Sequence, residues 1–110
     1  MKISPTLTAM VSTVSMGLAL WLPVYAAGSA EAAKSKASMC MGCHGIPFYR
    51  TAYPEVYQVP KIAGQSPAYL VKALQAYKSG ERNHPSMTGI ARGLTDADVA
   101  DLAAYYGKAK

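Results

Sequence analysis

Charged side chains are scarce in this 110-residue chain, and acidic ones most of all. Charged residues make up 15% of the sequence, with 6 Asp and Glu against 11 Lys and Arg. The basic residues do not cluster into a stripe, which argues against nucleic-acid binding. The hydrophobic fraction of 51% is too high for a disordered chain, yet too mixed for a polytopic membrane protein. A chain of this length holds one domain.

The longest apolar stretch lies at the N-terminus and has the features of a secretory signal. Lys2 supplies a positive start, and Pro23 ends the apolar segment just before small residues that suit a signal peptidase. The pattern predicts a signal peptide over residues 1–26, cleaved after Ala26, and a periplasmic domain over 27–110. An uncleaved anchor is the alternative, because the stretch approaches the roughly 20 residues that span a bilayer.

Cysteine is also scarce. The two cysteines are Cys40 and Cys43, and His44 follows at once. A domain this small often needs a disulfide, a metal or a cofactor to support its core. The pattern C-x-x-C-H is the attachment signature of c-type haem. Two thiols on one helical turn can reach the two vinyl groups of a porphyrin, and the next imidazole can reach the iron.

Three other interpretations of these residues compete with haem attachment. A disulfide within C-x-x-C closes a very small loop, which is the least stabilising kind. A thioredoxin-like dithiol requires a βαβ pattern, and none is visible. A zinc site could use Cys40, Cys43, His44 and His84, but adjacent Cys43 and His44 suit structural zinc spacing poorly. Haem attachment takes place outside the cytoplasm, so the predicted secretion favours haem.

A haem iron would need a second axial ligand from elsewhere in the chain. Met39 and Met41 lie at the attachment site, on the wrong side of the ring, which leaves Met87 and His84, or an open or water-bound iron. Met87 lies in a polar, turn-rich segment that we expect to be a loop. Pro85 restricts the backbone that leads to Met87. A methionine in such a segment is hard to explain as core filler, so Met87 is the favoured ligand. His84 is expected to face solvent or to cap loop carbonyls.

Apolar residues recur at helical spacing in three segments, and no long segment alternates with period two. The first helix is predicted over 29–39, leading into the cysteines. The second has Ser66 as its N-cap and Gly80 as its stop. The third opens with a capping-box-like sequence over 95–98 and ends at Gly107. These patterns predict an all-α fold with three main helices around a planar cofactor, without a real sheet.

Taken together, these features resemble a small soluble class I c-type cytochrome. The resemblance covers about residues 30–107 and rests on four segments: Cys40–His44, Val59–Gln65, Met87 and Leu94–Tyr106. It implies the class I cytochrome c fold, in which the terminal helix crosses the N-terminal one. One stretch, residues 45–59, departs from the compact family pattern and is rich in tyrosine. That stretch is either a loop folded over the haem edge or a surface for docking a partner.

The resemblance also implies a set of site residues. One haem c would be bound covalently through Cys40 and Cys43, with His44 and Met87 as axial ligands of the iron. The carbonyl of Pro60 would accept the other ring N–H of His44 and fix the orientation of the imidazole.

The function implied is electron transfer by a periplasmic carrier rather than catalysis by an enzyme. A thioether ligand favours ferrous iron, and ligands on both faces exclude O₂ and peroxide. The expected partners are redox proteins with acidic docking surfaces, the membrane being touched only transiently through respiratory complexes, and the protein is expected to be a monomer. Five cations could steer such partners or could simply solubilise the surface: Lys36, Lys61, Lys72, Lys78 and Arg82.

Three rival functions remain open at this stage. The chain could be the haem c electron-transfer subunit of a periplasmic dehydrogenase complex, which a large exposed apolar patch would favour. It could be a ligand-binding or peroxidatic haem protein, which requires Met87 to be absent from the iron or easily displaced from it. It could be a dithiol oxidoreductase, which would be colourless and have two titratable thiols.

Overall fold

The computed structural model describes residues 27–52 and 56–109. The predicted signal peptide and its cleavage site lie outside the described residues. The described ranges contain helices α1 (Lys34–His44), α2 (Pro67–Ser79), α3 (Pro85–Arg92) and α4 (Asp96–Lys108), with short strands β1 (Arg50–Thr51) and β2 (Tyr57–Gln58). Within these ranges, no helix is long and apolar enough to cross a membrane.

Helix α1 contains the whole C-x-x-C-H sequence but begins later than predicted. The prediction of a helix over 29–39 is wrong at its start, because the residues before Lys34 form turns instead. The backbone N–H of Ser29 donates to the carboxylate of Asp101 at 2.6 Å, which ties this segment to α4. Tertiary attachment therefore competes with helix propensity here and delays the first helical turn.

Helix α2 has the boundaries that its sequence predicts. The hydroxyl of Ser66 accepts from the backbone N–H of Tyr69, and Pro67 occupies the first turn, where a missing N–H costs nothing. Gly80 ends the helix with φ of 88°, a left-handed conformation that glycine adopts without strain.

Helix α3 corrects the prediction that Met87 lies in a loop. His84 is its N-cap, and Pro85 again occupies the first turn. The ring Nδ1 of His84 accepts from the backbone N–H of Met87 at 3.5 Å, so the imidazole caps an amide donor rather than loop carbonyls. The methionine is thus held on a short helix, whose backbone is better fixed than that of a loop.

Helix α4 opens with the predicted capping box, in which Thr95 and Asp98 bond reciprocally to each other's backbone N–H. Asp98 also accepts from Lys36 of α1. The helix does not stop at Gly107 as predicted, but continues to Lys108. Gly107 serves close packing instead, since a Cβ placed there would lie 2.4 Å from the ring of Pro67.

The core joins the three longer helices. Its buried residues come from α1 and its N-cap, α2, α4 and the segment before α4: Ala33, Ala37, Leu70, Leu94, Val99, Leu102, Ala103 and Tyr106. The contact between the N-terminal and terminal helices that the resemblance implies is therefore present. Small alanines on α1 allow α4 to approach closely, and the fold is the all-α one that the sequence predicts.

A short hairpin interrupts the tyrosine-rich segment, where no sheet was predicted. Strands β1 and β2 pair antiparallel, with Arg50 opposite Gln58 and Thr51 opposite Tyr57. The backbone N–H of Val59 extends the pairing to the carbonyl of Tyr49. Each strand has two residues, too few to show an alternating pattern in the sequence.

Candidate functional site

A cavity of about 330 Å³ opens where the four helices and the hairpin meet. Its volume lies within the range of roughly 300–1,000 Å³ typical of sites for small molecules and cofactors. Most of its surface is apolar and comes from α2, α3, α4, the segment before α2 and the segment before α4: Ile62, Leu70, Ala73, Leu74, Ile90, Leu94, Leu102 and Ala103. Such a lining suits a largely apolar molecule.

The last turns of α1 place Cys40, Cys43 and His44 along this cavity. Helical spacing puts residues three and four apart on one face, so all three can address one ligand. Cys40 is half-buried, and burial raises the pKa of its thiol, whereas Cys43 is exposed. The two sulfurs are not joined in a disulfide. Among the described residues, no three His, Cys, Asp or Glu are gathered as a metal site would require, so the zinc alternative is not assembled.

The imidazole of His44 is oriented by the backbone of a distant segment. Its Nδ1–H donates to the carbonyl oxygen of Pro60 at 2.6 Å. This bond places the ring proton on Nδ1 and leaves Nε2 with a free lone pair, the form of histidine that binds metals. The segment after β2 thus positions a side chain at the end of α1.

Met87 lines the same cavity from α3 and is half-buried. Its helix is fixed by His84, whose ring also packs edge-on against Tyr57 at a centroid distance of 5.0 Å. The hairpin therefore supports the N-terminus of α3. The structure brings the five residues singled out from the sequence together at one cavity: Cys40, Cys43, His44, Pro60 and Met87.

Two features of the site escaped sequence reasoning. The pair His84-Pro85 repeats the Ser66-Pro67 pattern of a capped helix start, and this signal could have revealed α3. The second feature is Tyr106. Its hydroxyl donates to the carbonyl of Ala37 at 2.9 Å, and burial raises the pKa of the phenol. No local pattern in the sequence indicates that hydrogen bond.

The residues present fit a covalently bound haem. Two thiols that can form thioethers lie beside an imidazole with a free Nε2, and a methionine thioether lines the same space. Imidazole and thioether are a known axial pair for haem iron. The apolar lining would exclude water from the ring.

Comparison with known proteins agrees with this chemistry. The family model for cytochrome c matches residues 29–109. Cytochrome c4 of Pseudomonas aeruginosa is 40% identical over 99 residues, a match covering 88% of this chain and 47% of that protein. Cytochrome c-554(548) of Halomonas halodenitrificans is 42% identical over 83 residues, covering 73% of this chain and 95% of that one.

The fold comparison gives the same result. The crystal structure of reduced cytochrome c4 from Pseudomonas stutzeri matches with a TM-score of 0.61 and 38% identity, covering 76% of this chain and 47% of that one. The chain therefore spans about half the length of the cytochromes c4 that it matches.

The family match and the C-x-x-C-H sequence together establish the cofactor. The cysteines of that sequence are Cys40 and Cys43, through which one haem c is covalently bound. The matched region begins before α1 and ends after α4, so it includes every element that lines the cavity. The chain belongs to the cytochrome c family.

Proposed function

We propose that this chain carries single electrons between redox proteins, with His44 and Met87 as the axial ligands of its haem. The observation behind the proposal is that one apolar cavity is lined by the attachment cysteines, by an imidazole with a free Nε2 and by a methionine. The haem supplies an iron that gains or loses one electron.

The protein restrains both proposed ligands. Pro60 fixes the tautomer of His44, and the capped first turn of α3 holds the backbone that bears Met87. Ligands fixed by the protein change little between two oxidation states, and this keeps the cost of electron transfer low. With His44 and Met87 both bound to the iron, no position would remain for a substrate, and this supports electron transfer rather than catalysis.

Visible spectroscopy of the ferric holoprotein tests the methionine ligand. A methionine–iron bond gives a weak far-red absorption band, which we expect in the wild type and expect to vanish in Met87→Ala. Met39→Ala is the matched control, because Met39 also lines the cavity and is 46% exposed. A wild type without the band, or its loss in Met39→Ala, would remove Met87 from the iron.

A second candidate function is that of a haem c subunit in a dehydrogenase complex. A relative from Chlorobaculum tepidum, 34% identical over 68 residues, is named the cytochrome subunit of sulfide dehydrogenase. An exposed apolar group near the hairpin favours such a permanent contact, with Phe48 at 88% and Val56 at 69% exposure. Purification from the native host separates the two functions, since a free carrier elutes alone and a subunit elutes with its enzyme.

We propose redox partners with acidic docking surfaces, met only transiently by a monomeric carrier. Lys61 and Lys72 are exposed and appear in no ion pair among the described residues. Lys36 and Lys78 are bound instead to Asp98 and Asp96 of α4, so they are less free to steer a partner. Sedimentation of the holoprotein tests the monomer, and the salt dependence of electron exchange tests the docking charge.

We further propose that residues 1–26 direct export to the periplasm and are removed there, leaving 27–110 as the haem domain. Covalent haem attachment outside the cytoplasm is consistent with an exported chain. The intact mass of the purified holoprotein tests the boundary. A mass equal to residues 27–110 plus one haem is the expected result, and a mass that includes the first 26 residues would support the anchor.

A further inference from the structure

Among the described residues that line the cavity, Arg82 is the only Lys, Arg, Asp or Glu. A haem carries two carboxylates on its edge, and a carboxylate against an apolar surface is costly unless it is paired or hydrogen-bonded. Arg82 is therefore the natural partner to consider.

The backbone brings Arg82 to the cavity through the end of α2. Gly80 turns the chain in the left-handed conformation, and the N–H of Arg82 then donates to the carbonyl of Ala76 at 3.0 Å. This bond folds the residue back along its own helix. Arg82 is consequently fixed relative to the face of α2 that lines the cavity.

Two tyrosines of α2 then hold the guanidinium. It lies 4.9 Å from the centre of the Tyr77 ring, within the range of a cation–π contact. One of its N–H groups donates to the hydroxyl of Tyr69 at 3.4 Å. Both tyrosines also line the cavity. These two contacts restrain the guanidinium, whereas an ordinary surface arginine samples many rotamers.

The guanidinium keeps most of its donors available. It has five N–H groups, of which the bond to Tyr69 uses one. Among the described residues, no carboxylate forms an ion pair with Arg82. A guanidinium binds a carboxylate with two parallel hydrogen bonds, which a lysine cannot do.

We infer that Arg82, held by Tyr69 and Tyr77, binds a propionate carboxylate of the haem. The inference rests on haem c occupying this cavity but not on the identity of the iron's axial ligands. An adjacent guanidinium stabilises the ionised carboxylate and lowers its pKa. It also compensates negative charge near the iron.

The test is a pH titration of the two propionates in the holoprotein. The carboxyl carbons of isotopically labelled haem are monitored by ¹³C NMR. Direct observation of the carboxyl carbons separates them from His84, which also lines the cavity. We expect Arg82→Gln to raise the pKa of one propionate by roughly 1–3 units. Arg82→Lys should restore part of the shift, because it returns the charge without the bidentate geometry.

Arg92→Gln is the matched control, since Arg92 is exposed at the end of α3 and does not line the cavity. It removes the same charge and should leave both propionate pKa values unchanged. Equal titration curves for wild type and Arg82→Gln would overturn the inference, as would an equal shift in Arg92→Gln. The far-red band should persist in the Arg82 variants, so failure here is distinguishable from failure of the Met87 assignment.

Discussion

At the scale of single residues, the most consequential side chain outside the proposed ligand set is Tyr106. It is 4% exposed and lies in the core, yet it also lines the cavity beside Cys40. Its hydroxyl spans from α4 to the carbonyl of Ala37 on α1. One phenol thus joins the terminal helix to the helix that bears the attachment cysteines, and the position of Cys40 depends on both.

We expect Tyr106→Phe to lower the free energy of unfolding of the holoprotein by about 1 kcal/mol at neutral pH, because one buried hydrogen bond is lost with little change in volume. Urea unfolding measures this change. Tyr105→Phe is the control, since Tyr105 is only half-buried, and its effect should stay within about 0.5 kcal/mol.

The contribution of Tyr106 should also fade at alkaline pH. Its pKa in the folded protein is raised above the ordinary value of 10.0, so the unfolded chain loses this proton first as the pH rises. The stabilisation is complete below about pH 10 and declines above it. The stability gap between wild type and Tyr106→Phe should therefore narrow above pH 10, and a constant gap would contradict this account.

At the scale of helices and strands, the sequence was most informative where a boundary depends on neighbouring residues. Ser66 and the capping box at Thr95 act through bonds to the third residue along, and Gly80 acts through its own left-handed conformation; each of these predictions is confirmed. The start of α1 could not be predicted, because it depends on a bond from Ser29 to Asp101, far along the chain.

The candidate site divides in the same way. Cys40, Cys43 and His44 are adjacent in the sequence, so their pattern alone indicates haem attachment. The position of Arg82 depends on the left-handed turn at Gly80 and on the hydrogen bond from the N–H of Arg82 back to Ala76 in α2. The hydrogen bond of Tyr106 to Ala37 depends on how α4 packs on α1. Neither arrangement has a local sequence signal.

The contact between α2 and α4 gives a prediction at this scale. In Gly107→Ala the added Cβ would lie 2.4 Å from Cγ and 2.9 Å from Cδ of Pro67, so the two helices must move apart. Overpacking of this kind costs about 1–3 kcal/mol. We expect the thermal midpoint of the holoprotein to fall by several degrees, as measured by circular dichroism.

The matched control for that variant is Gly89→Ala in α3. No described residue comes within 4 Å of a Cβ placed at Gly89, and alanine is the better helix former there. This variant should be more stable than wild type by roughly 0.5–1 kcal/mol. If both variants are destabilised to the same extent, the loss of a glycine from a helix, rather than the contact with Pro67, determines the change in stability.

At the scale of the whole molecule, the excess of basic over acidic side chains should control how the carrier meets its partners. The net charge of the sequence is +5, and Lys61 is exposed next to Pro60 and Ile62, which line the cavity. We expect oxidation of the ferrous protein by an anionic metal complex to slow as salt is added, because screening shortens the reach of the charges to about 10 Å at 0.1 M.

Reversing the charge of a single lysine tests whether the reaction rate depends on where a charge lies as well as on the net charge. Lys61→Glu should slow the reaction at low salt by roughly two- to tenfold. Lys34→Glu changes the net charge equally, but Lys34 begins α1, about 9 Å along the helix axis before Cys40, and already pairs with Glu31. Its effect should be clearly smaller in stopped-flow measurements. Equal slowing by both variants would mean that the protein acts on its partners as a uniformly charged sphere, without a preferred docking site beside the cavity.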